Sequence, residues 1–154
     1  MRGKDTAMSS YGKTVTEVMV RVSKYPHVPY WCSISQAINI VKMSFLDTNK
    51  YYVPMMILVM DEKYGFLGTL SPKDILEKIQ EKKGSKEILE NPVDKIMRPV
   101  KIFVQPDDPA TKAATLMIEN KLDLLPVFDE KKKFVGLVRM MEIFDELLDV
   151  VLKK

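Results

Sequence analysis

The sequence predicts an α+β protein built from two β-α-β-β-α repeats, packed through their sheets with pseudo-two-fold symmetry. Two observations carry this. Short blocks recur in the same order: VTEVM at Val15–Met19 matches VDKIM at Val93–Met97, and DEKYGFLG at Asp61–Gly68 matches DEKKKFVG at Asp129–Gly136. Around those blocks, continuous strand-like runs and helical i, i+3, i+4 apolar patterns alternate in the same order in both copies. The first pair of blocks is 78 residues apart and the second 68, which leaves about ten extra residues in the first copy. A half of roughly 60 residues is marginal alone, so two sheets packed into one module are the expected solution.

Each element has a local reason. VTEVM reads as one helical turn, and Val28-Pro29-Tyr30-Trp31 as a short extended segment. SISQAINIVKMSF then reads as a helix: Ser33 and Gln36 make a capping box, and Ile34, Ala37, Ile38, Val41 and Phe45 line one face. Val53 to Met60 is a continuous β-rich run, Asp61 to Gly65 a turn, and Phe66 to Leu70 a second strand. Ser71 starts a helix with Ile75, Leu76 and Ile79 on one side. Gly84-Ser85 ends this helix.

In the second copy, Asn91-Pro92 is read as cap and first helical residue, and Ile102-Phe103-Val104 as extended. Asp108-Pro109 starts a helix running through Ala113, Met117 and Ile118. Leu125 to Phe128 and Phe134 to Val138 are strands. The last helix carries Met140, Ile143, Phe144, Leu147, Leu148 and Val151 at helical spacing, with Lys153 and Lys154 suited to its negative end. The expected boundaries are 14–83 for repeat 1, 84–92 for a polar bridge, and 93–152 for repeat 2.

Composition narrows the function. With 24 basic and 21 acidic residues the net charge is only +3 and scattered, which does not point to nucleic acid. One cysteine, Cys32, and one histidine, His27, leave no intrachain disulfide and argue against a Cys/His zinc site or a His-activated nucleophile. The longest apolar run, Val53 to Met60, is far short of the roughly 20 residues of a membrane span. A cytoplasmic protein that contacts no membrane is expected. The eleven methionines are read as core filling.

The two copies differ in one slot. GTLSPKDIL, at Gly68–Leu76, and GLVRMMEIF, at Gly136–Phe144, both lead from a strand into a helix, but only the first has Ser and Asp three apart. Ser71 is placed as an N-cap, Pro72 as the first helical residue and Asp74 as the third, so free N–H groups and the positive dipole end meet there. An anion is welcome at such a point, and a carboxylate accepts both hydrogens of a ribose diol. The same pattern is also a plain capping arrangement that binds nothing. The glycine ahead of Thr69 is read as admitting a ligand closely. In copy two the matched residues are Arg139 and Glu142, which either clamp a phosphate and a diol or leave an empty slot with Arg139 salt-bridged.

These residues resemble the tandem cystathionine-β-synthase (CBS) domain pair, or Bateman module. The resemblance rests on V-x-x-[VI]-M opening each copy, on Leu125-Pro126-Val127, on DE-K-x-x-F-x-G in each hairpin, and above all on Gly68-Thr69-Leu70-Ser71-Pro72-Lys73-Asp74-Ile75. It covers Thr14 to Leu152.

What the resemblance implies is regulation rather than catalysis, with no catalytic cofactor. The implied ligand is an adenosine-containing molecule (AMP, ADP, ATP, S-adenosylmethionine or a related dinucleotide), bound in clefts between the copies. Ser71 would contact phosphate and Asp74 the ribose hydroxyls, with Thr69 in the same stretch joining the candidate set. Val28, Pro29 and Tyr30 are candidates for adenine, with Val104 and Pro106 their counterparts; ordinary packing is the alternative for each. Arg21, Lys24 and Arg98 follow the V-x-x-[VI]-M turns, where they would neutralise phosphates or simply face solvent. Surplus apolar residues on the helices, Ile40, Met43, Met141 and Leu148, suggest a homodimer. The expected role is to sense the ligand and signal to a regulated protein; the contrasting reading is a scaffold with vestigial clefts.

Overall fold

A computed structural model of the chain describes residues 12–46, 56–81 and 86–152. Most of the first copy's extra residues are expected around Leu46 to Tyr52, where Asp47, Thr48, Asn49, Tyr51 and Tyr52 would shape the rim of a cleft; these five, the Gly84-Ser85 helix end and Lys153-Lys154 lie outside the described residues, as do the side chains of Lys24 and Phe45. The chain divides into two compact units, one of Met1–Val22 with Lys101–Lys154 and one of Ser23–Val100. The boundaries between units therefore fall at 22/23 and 100/101, whereas the copies in sequence were expected to meet at 84–92.

The Ser23–Val100 unit holds β1 (His27–Pro29), α2 (Ile34–Leu46), β2 (Ile57–Met60), β3 (Phe66–Leu70), α3 (Pro72–Glu81) and β4 (Arg98–Pro99). Its sheet runs β1-β2-β3-β4, with β1 parallel to β2 and the other pairs antiparallel. Val28, Val59, Ile57 and Leu70 pack with Ile34, Ala37 and Val41 of α2 and Ile75 of α3 into one buried cluster. The Ser33–Gln36 box forms as expected: Ser33 N–H donates to Gln36 Oε1 at 3.0 Å and Gln36 N–H to Ser33 Oγ at 3.1 Å. The strand stops at Pro29, and Tyr30 and Trp31 form a turn. The segment expected as a polar bridge contains a 3-10 helix, Lys86–Glu90, which buries Ile88 in the cluster. Pro92 is itself the cap of the Val93–Lys95 turn rather than its first helical residue.

The other unit holds α1 (Val15–Val18), α4 (Ala110–Asn120), β5 (Leu124–Phe128), β6 (Phe134–Arg139) and α5 (Met140–Leu152). β5 and β6 pair antiparallel, and isolated bridges Val104 to Val127 and Val20 to Leu137 flank them. These bridges occupy the places that β1 and β4 take in the first sheet. The core gathers Val15, Val104, Ala113, Met117, Leu125, Val127, Val138 and Ile143. The stripe expected on the last helix splits. Ile143 is buried and Leu147 packs on the core, while Phe144, Leu148 and Val151 are exposed. Ile118 is likewise exposed rather than part of the helix's inner face.

The two hairpins share one design. Asp61 Oδ1 accepts from the N–H groups of Lys63 and Gly65 at 2.8 and 2.7 Å, and Asp129 Oδ1 from those of Lys131 and Lys133 at 2.8 and 2.9 Å. Each turn places its fourth residue, Tyr64 or Lys132, at positive φ. An aspartate that holds two backbone donors stabilises the turn that this φ requires.

Candidate functional site at the start of the third helix

β3 ends at Leu70, and the chain turns through Ser71 into α3, with Pro72 pre-set for the first helical position. Ser71 donates both its N–H and its O–H to Asp74 Oδ2, each at 2.9 Å, and Asp74 N–H donates back to Ser71 Oγ at 3.2 Å. The capping box of the plain reading is thus present. Asp74 is only 6% exposed, and a buried carboxylate requires compensation beyond a cap.

Arg98 supplies it. β4 lies beside β3 with Gly68 opposite Pro99 and Thr69 opposite Arg98. From there the Arg98 Nε–H donates to Asp74 Oδ1 as an ion pair, and Arg98 Nη2 lies 3.5 Å from Glu77 Oε2. The hydrogen bond to Asp74, reinforced by the charge of that carboxylate, pushes the Arg98 guanidinium pKa up. The Arg98 side chain remains 58% exposed. A groove of about 220 Å³ runs alongside, lined by Asp74, Glu77, Lys78, Glu81, Lys95, Ile96 and Arg98. It is smaller than the roughly 300–1,000 Å³ of a small-molecule pocket, and its lining balances three carboxylates against three cations.

Gly68 has a different purpose from the one expected. A Cβ there would lie 2.5 Å from the Arg98 carbonyl oxygen. The glycine admits the backbone of β4, which in turn delivers Arg98 to Asp74.

The structure brings Thr69, Ser71, Asp74 and Arg98 together. Val28, Pro29 and Tyr30 fall beyond the rung that Thr69 and Arg98 share. Because β1 runs parallel to β2 and opposite to β3, the rung that holds Thr69 and Arg98 passes through Leu58 to His27, the first residue of β1. Val28 belongs to the buried cluster on the helix-packed face. Pro29 is opposite Met60, and Tyr30 lies beyond it, its N–H donating to Met60 O at 2.9 Å and its ring edge-on to Trp31. His27, which the sequence shows only as a lone histidine between prolines, is therefore on the site's own rung, with Nδ1 2.9 Å from Tyr25 O. Glu77, Lys78 and Lys95 were not singled out either; nothing in their spacing marks them. Arg21 is exposed.

In the other unit the corresponding slot is filled by its own residues. Arg139 donates to Glu142 in a two-pronged contact, Nε to Oε1 at 2.5 Å and Nη2 to Oε2 at 3.0 Å. Leu137 occupies the place of Thr69, and Val20 that of Arg98. Among the described residues no group of three or more His, Cys, Asp or Glu side chains is placed to hold a metal ion. None of their helices is long and apolar enough to cross a membrane.

The fold has counterparts among known proteins. The family model of the CBS domain matches residues 93–149. The structure superposes on that of CBSX2 in complex with AMP with a TM-score of 0.71, at 21% identity, covering 91% of this chain and 99% of that one. The fold is that of a tandem CBS domain pair. The CBS domain of the bacterial CNNM/CorC family Mg2+ transporter, solved in complex with ATP, is similar too, with a TM-score of 0.75 at 17% identity, covering 93% of this chain and 91% of that one. In sequence, this chain is similar to part of the magnesium transporter MgtE of Thermus thermophilus, 27% identical over 127 residues. That match covers 80% of this chain but a quarter (25%) of the transporter.

Proposed function

We propose that this CBS pair is a regulatory module that binds an adenine nucleotide at the Ser71–Asp74 turn and signals its occupancy to a partner protein. The observation that carries the reading is the convergence of a helix N-terminus, the Ser71 hydroxyl, the Asp74 carboxylate and the exposed Arg98 guanidinium in a fold shared with proteins solved with AMP and ATP. The N-terminus and Arg98 suit phosphate; Asp74 suits the ribose diol. S-adenosylmethionine, which lacks phosphate, fits this charge arrangement less well.

The mechanism is differential binding. A ligand shifts a partner equilibrium only by its difference in affinity between two states of the module. Two of the likenesses are to parts of Mg2+ transporters, which makes a transport protein the partner class to test first. The module acts in the cytoplasm and as a homodimer, the latter through the exposed stripe of Met141, Phe144, Leu148 and Val151 on α5. Arg139 and Glu142 satisfy each other, so one nucleotide per chain is expected. A second reading, a scaffold module with no ligand, is favoured by the engagement of Asp74 in its own helix cap.

Thermal unfolding of the full chain with AMP, ADP, ATP, S-adenosylmethionine and NAD separates the two. A ligand at 100 times its dissociation constant stabilises by about 2.7 kcal/mol. The expected result is a selective shift for an adenine nucleotide that Asp74→Asn removes while the unliganded melt stays cooperative. No shift from any compound counts against the nucleotide reading and favours the scaffold.

A further inference from the structure

We infer that Arg98 is the residue that makes the Ser71–Asp74 turn discriminate nucleotides from nucleosides, by guarding the carboxylate until a phosphate draws the guanidinium away. The inference rests on reading this turn as the adenine-nucleotide site.

An ionised carboxylate offers about four acceptor positions. Asp74 has three engaged: Ser71 N–H and Ser71 O–H on Oδ2, and Arg98 Nε–H on Oδ1. A ribose diol that donates both hydroxyls to one carboxylate needs two. One existing donor must therefore leave. The Ser71 N–H is fixed by the backbone at a helix start, and its hydroxyl belongs to the reciprocal cap. Arg98 is the movable one, since its side chain is mostly exposed and its second contact, to Glu77, is long at 3.5 Å.

Moving it has a consequence that depends on the ligand. Adenosine displaces Arg98 and offers the guanidinium nothing in return. A nucleotide offers a phosphate, the anion that an arginine fork fits best. The groove beside Arg98 sets Lys78 and Lys95 against Glu77 and Glu81, and it gives that phosphate a place within reach of the released side chain. The other unit bears on the same logic. There the arginine has moved from the crossing strand to the cap position, Arg139, and grips its carboxylate, Glu142, with two contacts across the three residues that lead from strand into helix. Val20 in the crossing position has no charge to offer a phosphate. A guard that is two-pronged and local holds more firmly than one reaching from a neighbouring strand, in keeping with one occupied slot per chain.

The test is titration calorimetry of adenosine, AMP and ATP against the full chain, against Arg98→Gln and against Arg98→Lys. The wild-type chain is expected to prefer AMP and ATP over adenosine. In Arg98→Gln adenosine is expected to bind more tightly and the nucleotides more weakly, so that the preference falls by at least about tenfold, the factor that ~1.4 kcal/mol represents. Arg98→Lys, which keeps the charge but loses the fork, is expected to retain most of the preference. Equal weakening of all three ligands in Arg98→Gln marks a merely structural residue and overturns the inference, as does an unchanged preference. Should Arg98→Gln fail to fold, a preference in Arg98→Lys as low as that for a neutral site overturns it as well. If the wild-type chain binds none of the three, the reading of the turn as a nucleotide site falls first, and this inference with it.

Discussion

Gly68 and Gly136 occupy the same place in the two hairpins, and each faces a crossing backbone segment. A Cβ on Gly68 would meet the Arg98 carbonyl oxygen at 2.5 Å, the carbonyl carbon at 3.0 Å and Pro99 Cα at 3.2 Å, all of them backbone atoms that cannot rotate away. On Gly136 it would meet the Val20 carbonyl oxygen at 2.8 Å and the Met19 sulfur at 3.1 Å, and the latter side chain is able to yield. Overpacking of this kind typically costs about 1–3 kcal/mol. Gly68→Ala is expected at the upper end and Gly136→Ala at the lower, read as midpoints of urea unfolding. Gly68→Ala also displaces β4, so it should weaken nucleotide binding without touching any ligand-facing atom. An unfolding midpoint equal to wild type for Gly68→Ala would contradict the close approach. The chemical identity of this glycine was legible from the repeat, but its reason was not, because the strand it admits lies thirty residues further along the chain.

At the scale of elements, what the sequence showed most clearly was whatever depends on neighbours three or four residues away. The Ser33–Gln36 and Ser71–Asp74 boxes are local hydrogen-bond arrangements that appear as their spacing implied, and the turns at Asp61 and Asp129 fall where the hairpins were expected. Burial was less legible. The i, i+3, i+4 pattern of α5 continues around both sides of the helix, and periodicity alone does not tell which side meets the core. The structure turns Ile143 and Val150 inward and leaves Met141, Phe144, Leu148 and Val151 exposed at a seven-residue repeat. Such a seam is what a helix offers another helix. Phe144→Glu combined with Leu148→Glu is therefore expected to convert a dimer to a monomer in analytical ultracentrifugation, while circular dichroism remains that of the wild type. A wild-type chain that sediments as a monomer at tens of micromolar, or a double variant that still dimerises, would remove α5 from the interface.

The course of the whole chain through its two units was the least legible feature, since it depends on contacts remote in sequence. VTEVM, which opens the first copy, packs in the unit that contains the second copy's sheet. Val15 is fully buried there, its N–H donating to Asp108 O at 2.8 Å, and Val20 exchanges hydrogen bonds with Leu137 at 2.8 and 2.9 Å. VDKIM does the reverse. Val93 is fully buried in the first copy's cluster, and its N–H donates to Cys32 O at 2.8 Å. Each repeat thus completes the core of the unit built on the other repeat's strands. A fragment cut at the sequence repeat, residues 14–83, carries the VTEVM turn away from its partners and lacks Ile88, Val93 and β4, so it leaves Asp74 without Arg98. A fragment cut at the structural unit, residues 23–100, keeps its whole cluster and the Arg98–Asp74 pair. Losing two buried aliphatic side chains costs on the order of 2 kcal/mol or more, a large part of what a domain this small possesses. The 23–100 fragment is expected to show dispersed amide resonances and a cooperative urea transition, and the 14–83 fragment neither. Equal cooperativity of the two would mean that the exchanged turns are accessories to the cores rather than parts of them.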